Sequence, residues 1–448
     1  MNTPASPTGP TIFRQGSPGY DAATSPDNTC AEQTPAAVVR PATSDDAVRG
    51  VLLAIAEGWT IVPQATGHGA AGRLGDDVLL VDTSGLDGVE IDAESKIARV
   101  GAGATWAAVN ARAADHGLLG LAGTAPSVGV SGYTFGGGVG WFVRPHGLAA
   151  GRLRSVEYVD GMGELRTAST DARADLDRDA LWAFRGGQGV GLATSLEFEL
   201  VDAPDLWAGL LLWPIAELGE VADAWVAALS RIGVGLDTCL AVTTAPSDAF
   251  VPSELRGRPV VHLSLASLDG AASADPLFAI LAAAPAPAVN TWGPSDVGRL
   301  GTVHLDPPSG TPAYGVGRWL TGATMGLVSS ILGSVADGTS PVSTVELRYV
   351  ENDAPVVDGA LTRVAGAFLL HATGTADDDD ARAALDDALD AVVRLAAPAD
   401  TGLGVVAFAA GHADAGRVFD EATAARVASV RAAVDPGGRF RSGRTISR

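Results

Sequence analysis

Basic residues and cysteines are scarce in this chain. Its 448 residues include 30 Lys and Arg against 52 Asp and Glu, so the formal net charge is −22. Nucleic-acid backbones are bound by clustered Lys and Arg, and anionic membrane surfaces also attract basic segments. The composition therefore disfavours nucleic acid and membranes as partners.

The two cysteines, Cys30 and Cys239, lie far apart in the sequence and form no CxxC motif. Disulfide frameworks and structural zinc sites both need closely patterned cysteines, so we expect neither of them and no metal. Each thiol is interpreted as an ordinary buried or surface side chain.

Signal and membrane-spanning segments are also missing from the sequence. The N-terminal stretch MNTPASPTGPTIFRQGSPGYD has neither the basic region nor the apolar region of a secretory signal. The apolar run LWAGLLLWPIAEL at 206–218 is too short to span a bilayer. We therefore expect a soluble, cytoplasmic protein.

The chain has the composition of a folded protein with more than one core. Hydrophobic residues make up 47% and charged residues 18%, and the length suggests two domains. Glycine clusters are confined to the part before Pro204. Beyond it, amphipathic helical patterns alternate with strand patterns.

A β-α-β unit is predicted close to the N-terminus. AAVVR at 36–40 has the pattern of a strand, and Thr43 or Ser44 is suited to cap the helix that follows. Gly58 is suited to end that helix, and WTIVPQA at 59–65 is the next strand.

Three separate glycine turns lie beside predicted strands. They are TGHG at 66–69, the glycine-dense block at 120–140 and RGGQGVG at 185–191. Backbone N–H groups in such turns suit a pyrophosphate, and dense glycine in an ordered segment indicates close backbone approach or positive φ. Taken singly, the histidine in TGHG is more often a hydrogen-bonded loop residue, and the glycine block is compatible with a buried turn cluster. Together the turns predict a large cofactor, with a dinucleotide as one candidate.

Seven blocks resemble a known family in order and content. They are PGYD (18–21), VVRPATSDDAV (38–48), TGHG (66–69), VGAGATWAAV (100–109), GTAPSVGVSGYTFGGGVGWFVRPHGLAA (123–150), DLDRDALWAFRGGQGVGLAT (175–194) and DPGGRF (435–440). The chain resembles the flavoproteins with a vanillyl-alcohol-oxidase fold and a PCMH-type FAD-binding domain. Within them it is most similar to the berberine-bridge-enzyme and oligosaccharide-oxidase branch. The resemblance is dense over residues 15–202 and looser over the last 30 or so.

The resemblance implies an α+β, two-domain flavoprotein that binds FAD. The FAD-binding domain would span 1–203, the substrate-binding domain with an antiparallel sheet and helices 204–414, and a C-terminal segment from 415 to 448 would return to the first domain. His68 falls where the family's histidine commonly bonds to the flavin 8α-methyl carbon. The residues implied to contact FAD are Thr66, Gly67, His68, Gly69, Gly72, Gly123, Thr124, Val128, Gly132, Gly137, Gly140, Gly191 and Leu192.

Two departures from the family pattern affect the predicted chemistry. Ala125 stands where bicovalent members have a cysteine, so a second, cysteinyl link to the flavin is not expected. The family's Tyr-x-Asn tyrosine has no counterpart in RVFDEATAARV at 417–427, so the usual catalytic base is not identifiable.

Replacement catalytic residues have to come from the substrate-binding domain. Glu346 and Arg348 lie two apart on one predicted strand, so both face the same side. The remaining candidates are His304, Tyr314, His371 and Trp292. For each of them an ordinary structural role is the alternative.

The implied activity is hydride transfer from a small organic substrate to flavin N5. The substrate is an alcohol, a sugar or a specialised metabolite, and molecular oxygen is the expected acceptor. One alternative is a dehydrogenase that uses another acceptor. A second is an FAD-binding protein that has lost redox catalysis and acts as a non-redox cyclase or binding protein; the missing tyrosine favours it and His68 opposes it. A non-flavin binding protein would require all seven blocks to be coincidental.

Overall fold

The computed structural model describes residues 9–70, 72–306, 310–411 and 417–441. Its α-helices are α1 (Tyr20–Ala23), α2 (Ser44–Glu57), α3 (Trp106–Ala114), α4 (Val130–Phe135), α5 (Val143–His146), α6 (Asp175–Phe184), α7 (Leu218–Leu229), α8 (Asp275–Leu281), α9 (Val297–Leu300), α10 (Met325–Gly333), α11 (Asp379–Ala396) and α12 (Glu421–Val434). Its strands are β1 (Thr11–Arg14), β2 (Glu32–Gln33), β3 (Ala37–Arg40), β4 (Thr60–Gln64), β5 (Arg73–Leu74), β6 (Val78–Asp82), β7 (Val89–Asp92), β8 (Ile97–Gly101), β9 (Leu118–Leu119), β10 (Leu153–Val159), β11 (Leu165–Ser169), β12 (Leu192–Glu199), β13 (Val201–Asp202), β14 (Trp207–Pro214), β15 (Leu236–Thr244), β16 (Pro259–Ser267), β17 (Val289–Asn290), β18 (Gly293–Pro294), β19 (Ala313–Leu320), β20 (Val342–Tyr349), β21 (Phe368–Thr375) and β22 (Asp400–Gly404). Within the described ranges, no helix combines the length and apolar character needed to cross a bilayer.

The N-terminal sheet contains the predicted β-α-β unit. Its strand order is β1-β3-β6-β4, with β3, β6 and β4 parallel. The Thr43 side chain accepts a hydrogen bond from the backbone N–H of Asp46 at the start of α2, and Gly58 ends the helix with φ of 74°. Both local predictions are confirmed, and β4 runs directly into the TGHG turn.

A second, antiparallel sheet supports the other two glycine turns. Its order is β11-β10-β12-β8-β7. The glycine-dense block follows α3 and leads through α4 to α5. The RGGQGVG turn connects α6 to β12. The glycine turns are therefore attached to rigid elements.

The largest sheet lies beyond Pro204. Its order is β17-β14-β16-β15-β20-β21-β19-β22, and β18 also pairs with β14. One face buries apolar side chains such as Leu240, Leu347 and Leu370 in a core shared with α7, α8, α10 and α11. Because strand side chains alternate, Cys239, Glu346 and their cross-strand neighbours belong to the opposite face. We call this opposite side the polar face.

The architecture confirms the predicted α+β class with an antiparallel sheet in the second half. The boundary predicted at 203/204 falls between β13 and β14. The boundary predicted at 414/415 lies outside the described residues.

Arg144 of α5 anchors residues 123–150, which we call the glycine-rich segment, to the large sheet. Its Nη1 donates to the carbonyl oxygens of Gly233 and Leu236 at 2.7 and 2.6 Å, and its Nε donates to that of Glu351 at 3.3 Å. The guanidinium carbon also lies 4.4 Å from the centre of the Tyr349 ring. Arg144 is only 4% exposed, so few water molecules can replace these bonds.

We expect Arg144→Met to lower the stability of the protein by about 1–3 kcal/mol, because it removes the guanidinium donor from the buried Leu236 carbonyl group. The midpoint of urea unfolding, followed by tryptophan fluorescence, measures the change. The matched control is Arg73→Met, which removes an ion pair exposed to solvent on both sides. Equal midpoints for the two variants would contradict the anchoring role of Arg144.

Candidate functional site

A cavity of about 440 Å³ lies where the glycine turns meet the C-terminal segment. Pockets for small molecules and cofactors are typically about 300–1,000 Å³. The lining consists of Val62, Pro63, Gln64, Ala65, Thr66, Gly67, His68, Gly69, Ala70, Thr83, Ala102, Val128, Gly129, Ser131, Gly132, Tyr133, Phe135, Gly136, Gln188, Gly189, Val190, Gly191, Ala193, Arg431, Ala432, Asp435, Pro436, Gly438, Phe440 and Arg441. All three glycine turns therefore contribute to one cavity.

The structure brings together about half of the residues expected to contact FAD. Thr66, Gly67, His68, Gly69, Val128, Gly132 and Gly191 line the cavity. Gly67 has φ of 74°, and a Cβ there would stand 2.6 Å from Pro26. Glycine is therefore required at this point of the TGHG turn.

The other expected FAD contacts lie outside the lining formed by the described residues. They are Gly72, Gly123, Thr124, Gly137, Gly140 and Leu192. Gly123 and Gly140 pack against the Tyr133 ring and hydroxyl, while Gly137 packs against Leu361. Because these glycines have no side chain, neighbouring side chains pack closely against them, and no space for a ligand is left at these positions.

Three buried polar atoms on lining residues have no hydrogen-bond partner among the described residues. They are Oη of Tyr133, Nε of Arg431 and Oδ1 of Asp435. Burial lowers the pKa of Arg431, whose Nη2 donates to the carbonyl oxygens of Gly187 and Gln188. Since these atoms have almost no exposed surface, they lie within the wall of the cavity and do not face its open space.

Arg431 and Asp435 were not among the residues predicted for the site. The block DPGGRF at 435–440 is part of the family resemblance, and this block could have indicated that the C-terminal segment contributes to the site. The backbone N–H of Ile61 donates to the carbonyl oxygen of Arg439, and the N–H of Arg441 donates to that of Ile61. This pairing places the block against β4, where it forms one wall of the cavity.

His68 lies at the mouth of the cavity. Its side chain is 46% exposed, and its Nδ1 lies 2.7 Å from Oδ2 of Asp27. A carboxylate at Nδ1 fixes the ring orientation and leaves Nε2 as the available nitrogen.

An ion-pair network occupies the polar face of the large sheet. Glu346 has no exposed surface, and its Oε1 accepts from Nε of Arg348 at 2.9 Å. The same oxygen lies 3.1 Å from Nδ1 of His371. His304, from the loop after α9, places Nε2 at 2.7 Å from Oε2 of Glu346 and Nδ1 at 3.1 Å from Oδ1 of Asp306.

Charge compensation keeps Glu346 and His304 ionised. Burial alone would raise the pKa of Glu346, but Arg348 and His304 hold it well below its usual range. Burial alone would lower the pKa of His304, but Glu346 and Asp306 raise it well above its usual range. His262, next to this network, differs because burial lowers its pKa to about 4. At neutral pH we therefore assign opposite charges to Glu346 and His304 and no charge to His262.

The network does not have the organisation of a metal site. Cys239, His304 and Glu346 place their ligand atoms within 4.8 Å of one another. However, Nη2 of Arg348 lies 2.8 Å from Glu346 and 3.2 Å from His304. A fixed guanidinium therefore supplies the positive charge beside these groups.

Tyr133 connects the cavity to the network. It lines the cavity, and burial raises the pKa of its phenol while the nearby Arg348 charge acts in the opposite direction. Phe408 covers the network farther along the polar face, with its ring centre 4.9 Å from both the His371 ring and the Arg348 guanidinium carbon.

The predicted catalytic candidates separate into two groups. Glu346, Arg348, His371 and His304 meet in the network described above. The Tyr314 ring stacks with Arg382 at 4.1 Å, and Trp292 packs between Trp207 and Phe278. For Trp292 these contacts are those of an ordinary aromatic cluster.

A second, much smaller cavity of about 20 Å³ adjoins the network. Asp237 and Trp141 line it, and their Oδ2 and Nε1 have no partner among the described residues. Burial raises the pKa of Asp237 to about 7. The volume suits a single water molecule.

Comparison with known proteins agrees with this geometry. The FAD_binding_4 family, described as an FAD binding domain, matches residues 35–169. The (R)-6-hydroxynicotine oxidase of Paenarthrobacter nicotinovorans is 28% identical over 283 residues, which are 60% of this chain and 60% of that protein. The xylooligosaccharide oxidase of Thermothelomyces thermophilus is 35% identical over 185 residues, or 40% of this chain and 36% of that protein. The chain thus spans less than two thirds of the length of either relative.

The fold comparison extends over nearly the whole chain. The solved structure of Physcomitrella patens BBE-like 1 superposes with a TM-score of 0.83 at 19% identity, covering 98% of this chain and 97% of that one. Residues 35–169 therefore match an FAD-binding domain, and the chain shares the vanillyl-alcohol-oxidase fold of this solved structure.

Proposed function

We propose that this protein is an FAD-dependent oxidoreductase that oxidises a small organic substrate, with molecular oxygen as the acceptor. One observation carries the proposal: Tyr133 lines the cavity formed by the three glycine turns, and its phenol lies near Arg348 of the acid–base network on the polar face. A flavin site needs such groups at the reacting end, since the cofactor supplies the redox chemistry while the protein supplies orientation and electrostatics.

The lining residues fit FAD. The backbone of Thr66, Gly67 and Gly69 would hold the pyrophosphate. Bound FAD supplies an acceptor for the hydride that leaves a substrate carbon.

We propose His371 as the group that takes the accompanying proton. Its Nδ1 is held by Glu346, so in the neutral ring Nε2 carries a lone pair, as in other carboxylate–histidine pairs. A proton from the substrate O–H or N–H passes to Nε2, and the ring becomes an imidazolium beside the Glu346 carboxylate. Glu346 itself is tied to three cationic or potentially cationic groups, which makes it a weak base.

The substrate class is proposed from two sources. The named relatives are oxidases of 6-hydroxynicotine and of xylooligosaccharides, which are small amines and sugars. The polar face is largely closed, with Arg348 8% exposed and Glu346 fully buried. A closed face favours a compact alcohol or amine over a long chain.

The first test is turnover. The purified protein is loaded with FAD and mixed with a panel of amines, secondary alcohols and sugars, and hydrogen peroxide and anaerobic flavin bleaching are recorded. We expect at least one substrate to give both signals. Bleaching without peroxide, together with reduction of a dye acceptor, would identify a dehydrogenase. No bleaching by any compound in a protein that holds FAD would favour a non-redox role.

With a substrate in hand, His371→Gln should slow flavin reduction by about 10²–10⁴-fold, the usual contribution of a general base. Stopped-flow absorbance at the flavin band measures the rate. His116→Gln changes an exposed histidine and serves as the matched control. An unchanged rate in His371→Gln would eliminate His371 as the proton acceptor.

We further propose that the flavin is attached covalently through His68, with Nε2 as the bonding nitrogen because Asp27 holds Nδ1. No cysteinyl link is proposed, because Ala125 stands at the corresponding position. After acid precipitation, flavin colour should stay in the pellet of the wild type and move to the supernatant for His68→Ala. His116→Ala should behave as the wild type does.

The outcomes of this experiment separate the two parts of the proposal. Complete release of flavin from the wild type would contradict the covalent bond and leave FAD binding intact. No flavin in either fraction, even after incubation with FAD, would contradict the cofactor assignment itself.

A further inference from the structure

Four ionisable side chains form a line in which carboxylates and imidazoles alternate. The order is Asp306, His304, Glu346 and His371. The contacts between successive members measure 3.1, 2.7 and 3.1 Å. Each neighbouring pair can share a proton, since a carboxylate accepts and an imidazole N–H donates.

The two ends of the line differ in their surroundings. His371 is 19% exposed, and its Nε2 lies so close to β19 that a Cβ at Gly315 would stand 3.2 Å away. At the other end, partial burial alone would raise the pKa of Asp306, but His304 and the Thr124 hydroxyl lower it to about 2. The line therefore runs from the glycine-rich segment to the candidate proton acceptor.

The groups around His304 and Glu346 come from several elements. Arg348 shares β20 with Glu346, Cys239 is on β15 and His262 is on β16. Nε2 of His262 lies 3.0 Å from the Val303 carbonyl oxygen, so this ring belongs to a separate contact. Sγ of Cys239 lies 3.5 Å from Oε2 of Glu346, and burial and Glu346 both raise the pKa of this thiol. Cys239 is therefore a neutral neighbour.

Arg348 alone does not account for the arrangement. It binds Oε1 of Glu346, the oxygen that also faces His371. Oε2 faces His304. Without His304, Oε2 would lose its partner and the carboxylate could turn about the Oε1 held by Arg348, which would change the direction in which Oε1 meets Nδ1 of His371. Asp306 holds the opposite nitrogen of His304 and fixes that ring in turn.

We infer that His304, held by Asp306, is a positioning residue for proton transfer at His371. It fixes the Glu346 carboxylate so that the neutral His371 ring carries its proton on Nδ1 and keeps Nε2 open. The purpose of this arrangement rests on the proposed oxidoreductase function, whereas the tautomer can be measured without any substrate.

The test uses FAD-loaded protein labelled with ¹⁵N-histidine. Ring-nitrogen spectra report whether each imidazole is charged and which nitrogen bears the proton, and the His304→Gln and His371→Gln variants assign the two rings. In the wild type at pH 8 we expect His304 doubly protonated and His371 protonated on Nδ1. A neutral His304, or His371 protonated on Nε2, would overturn the inference.

A comparison of His304→Gln with His262→Gln tests whether His304 positions His371 or only fills space in the core. In His304→Gln the Nδ1–H preference of His371 should be largely lost. His262→Gln removes a buried histidine of the same cluster and should leave the preference intact. If His304→Gln does not fold, Asp306→Asn should weaken the preference in the same direction. An unchanged His371 tautomer in both line variants, or an equal loss in His262→Gln, would contradict the positioning role.

A kinetic measurement completes the test once a substrate is known. In His304→Gln the rate of flavin reduction should fall while the substrate KM stays close to that of the wild type, because the position of the base is disturbed and not substrate binding. An unchanged rate would count against the inference. Absence of any turnover, with the expected ring-nitrogen spectra, would instead contradict the proposed function.

Discussion

The buried charge of Glu346 is the constraint on which the arrangement of the polar face depends. An ionised carboxylate without exposed surface is stable only when cations or donors surround it. Arg348 on the same strand, His371 on the next and His304 from a distant loop meet this need together. Both the register of β20 with β21 and the path of the loop after α9 must therefore be correct for Glu346 to have its partners.

This constraint also explains why the large sheet has two unlike faces. Helices cover the apolar face, whereas the polar face turns toward the glycine-rich segment through Tyr133 and Trp141. The centre of the Trp141 ring lies 6.2 Å from that of His304. Arg144 holds the same segment to the start of β15. The acid–base groups and the cofactor cavity are therefore placed relative to each other by a few short contacts.

Local sequence patterns predicted local structure well. The cap at Thr43, the helix end at Gly58 and the shared side of Glu346 and Arg348 all depend on residues a few positions apart. Glycine density was less informative about ligand contact. It correctly indicated close backbone approach, but at Gly123 and Gly140 the approaching group is a tyrosine of the same segment.

Contacts between distant parts of the chain escaped prediction for a physical reason. His304 meets Arg348 across 44 positions, and Arg431 meets Gly187 across 244. No periodicity or capping rule connects such pairs, because the folding of intervening elements decides their distance. The family resemblance supplied DPGGRF as a block, and only the paired backbone of β4 shows what it does there.

That C-terminal wall has a consequence for how the protein is made. When residues 1–203 have been synthesised, all three glycine turns are present. The cavity still lacks the side formed by Arg431, Asp435 and Phe440. The described lining therefore cannot exist until residues 431–441 have been synthesised, so a ligand that needs this wall cannot be enclosed before that point.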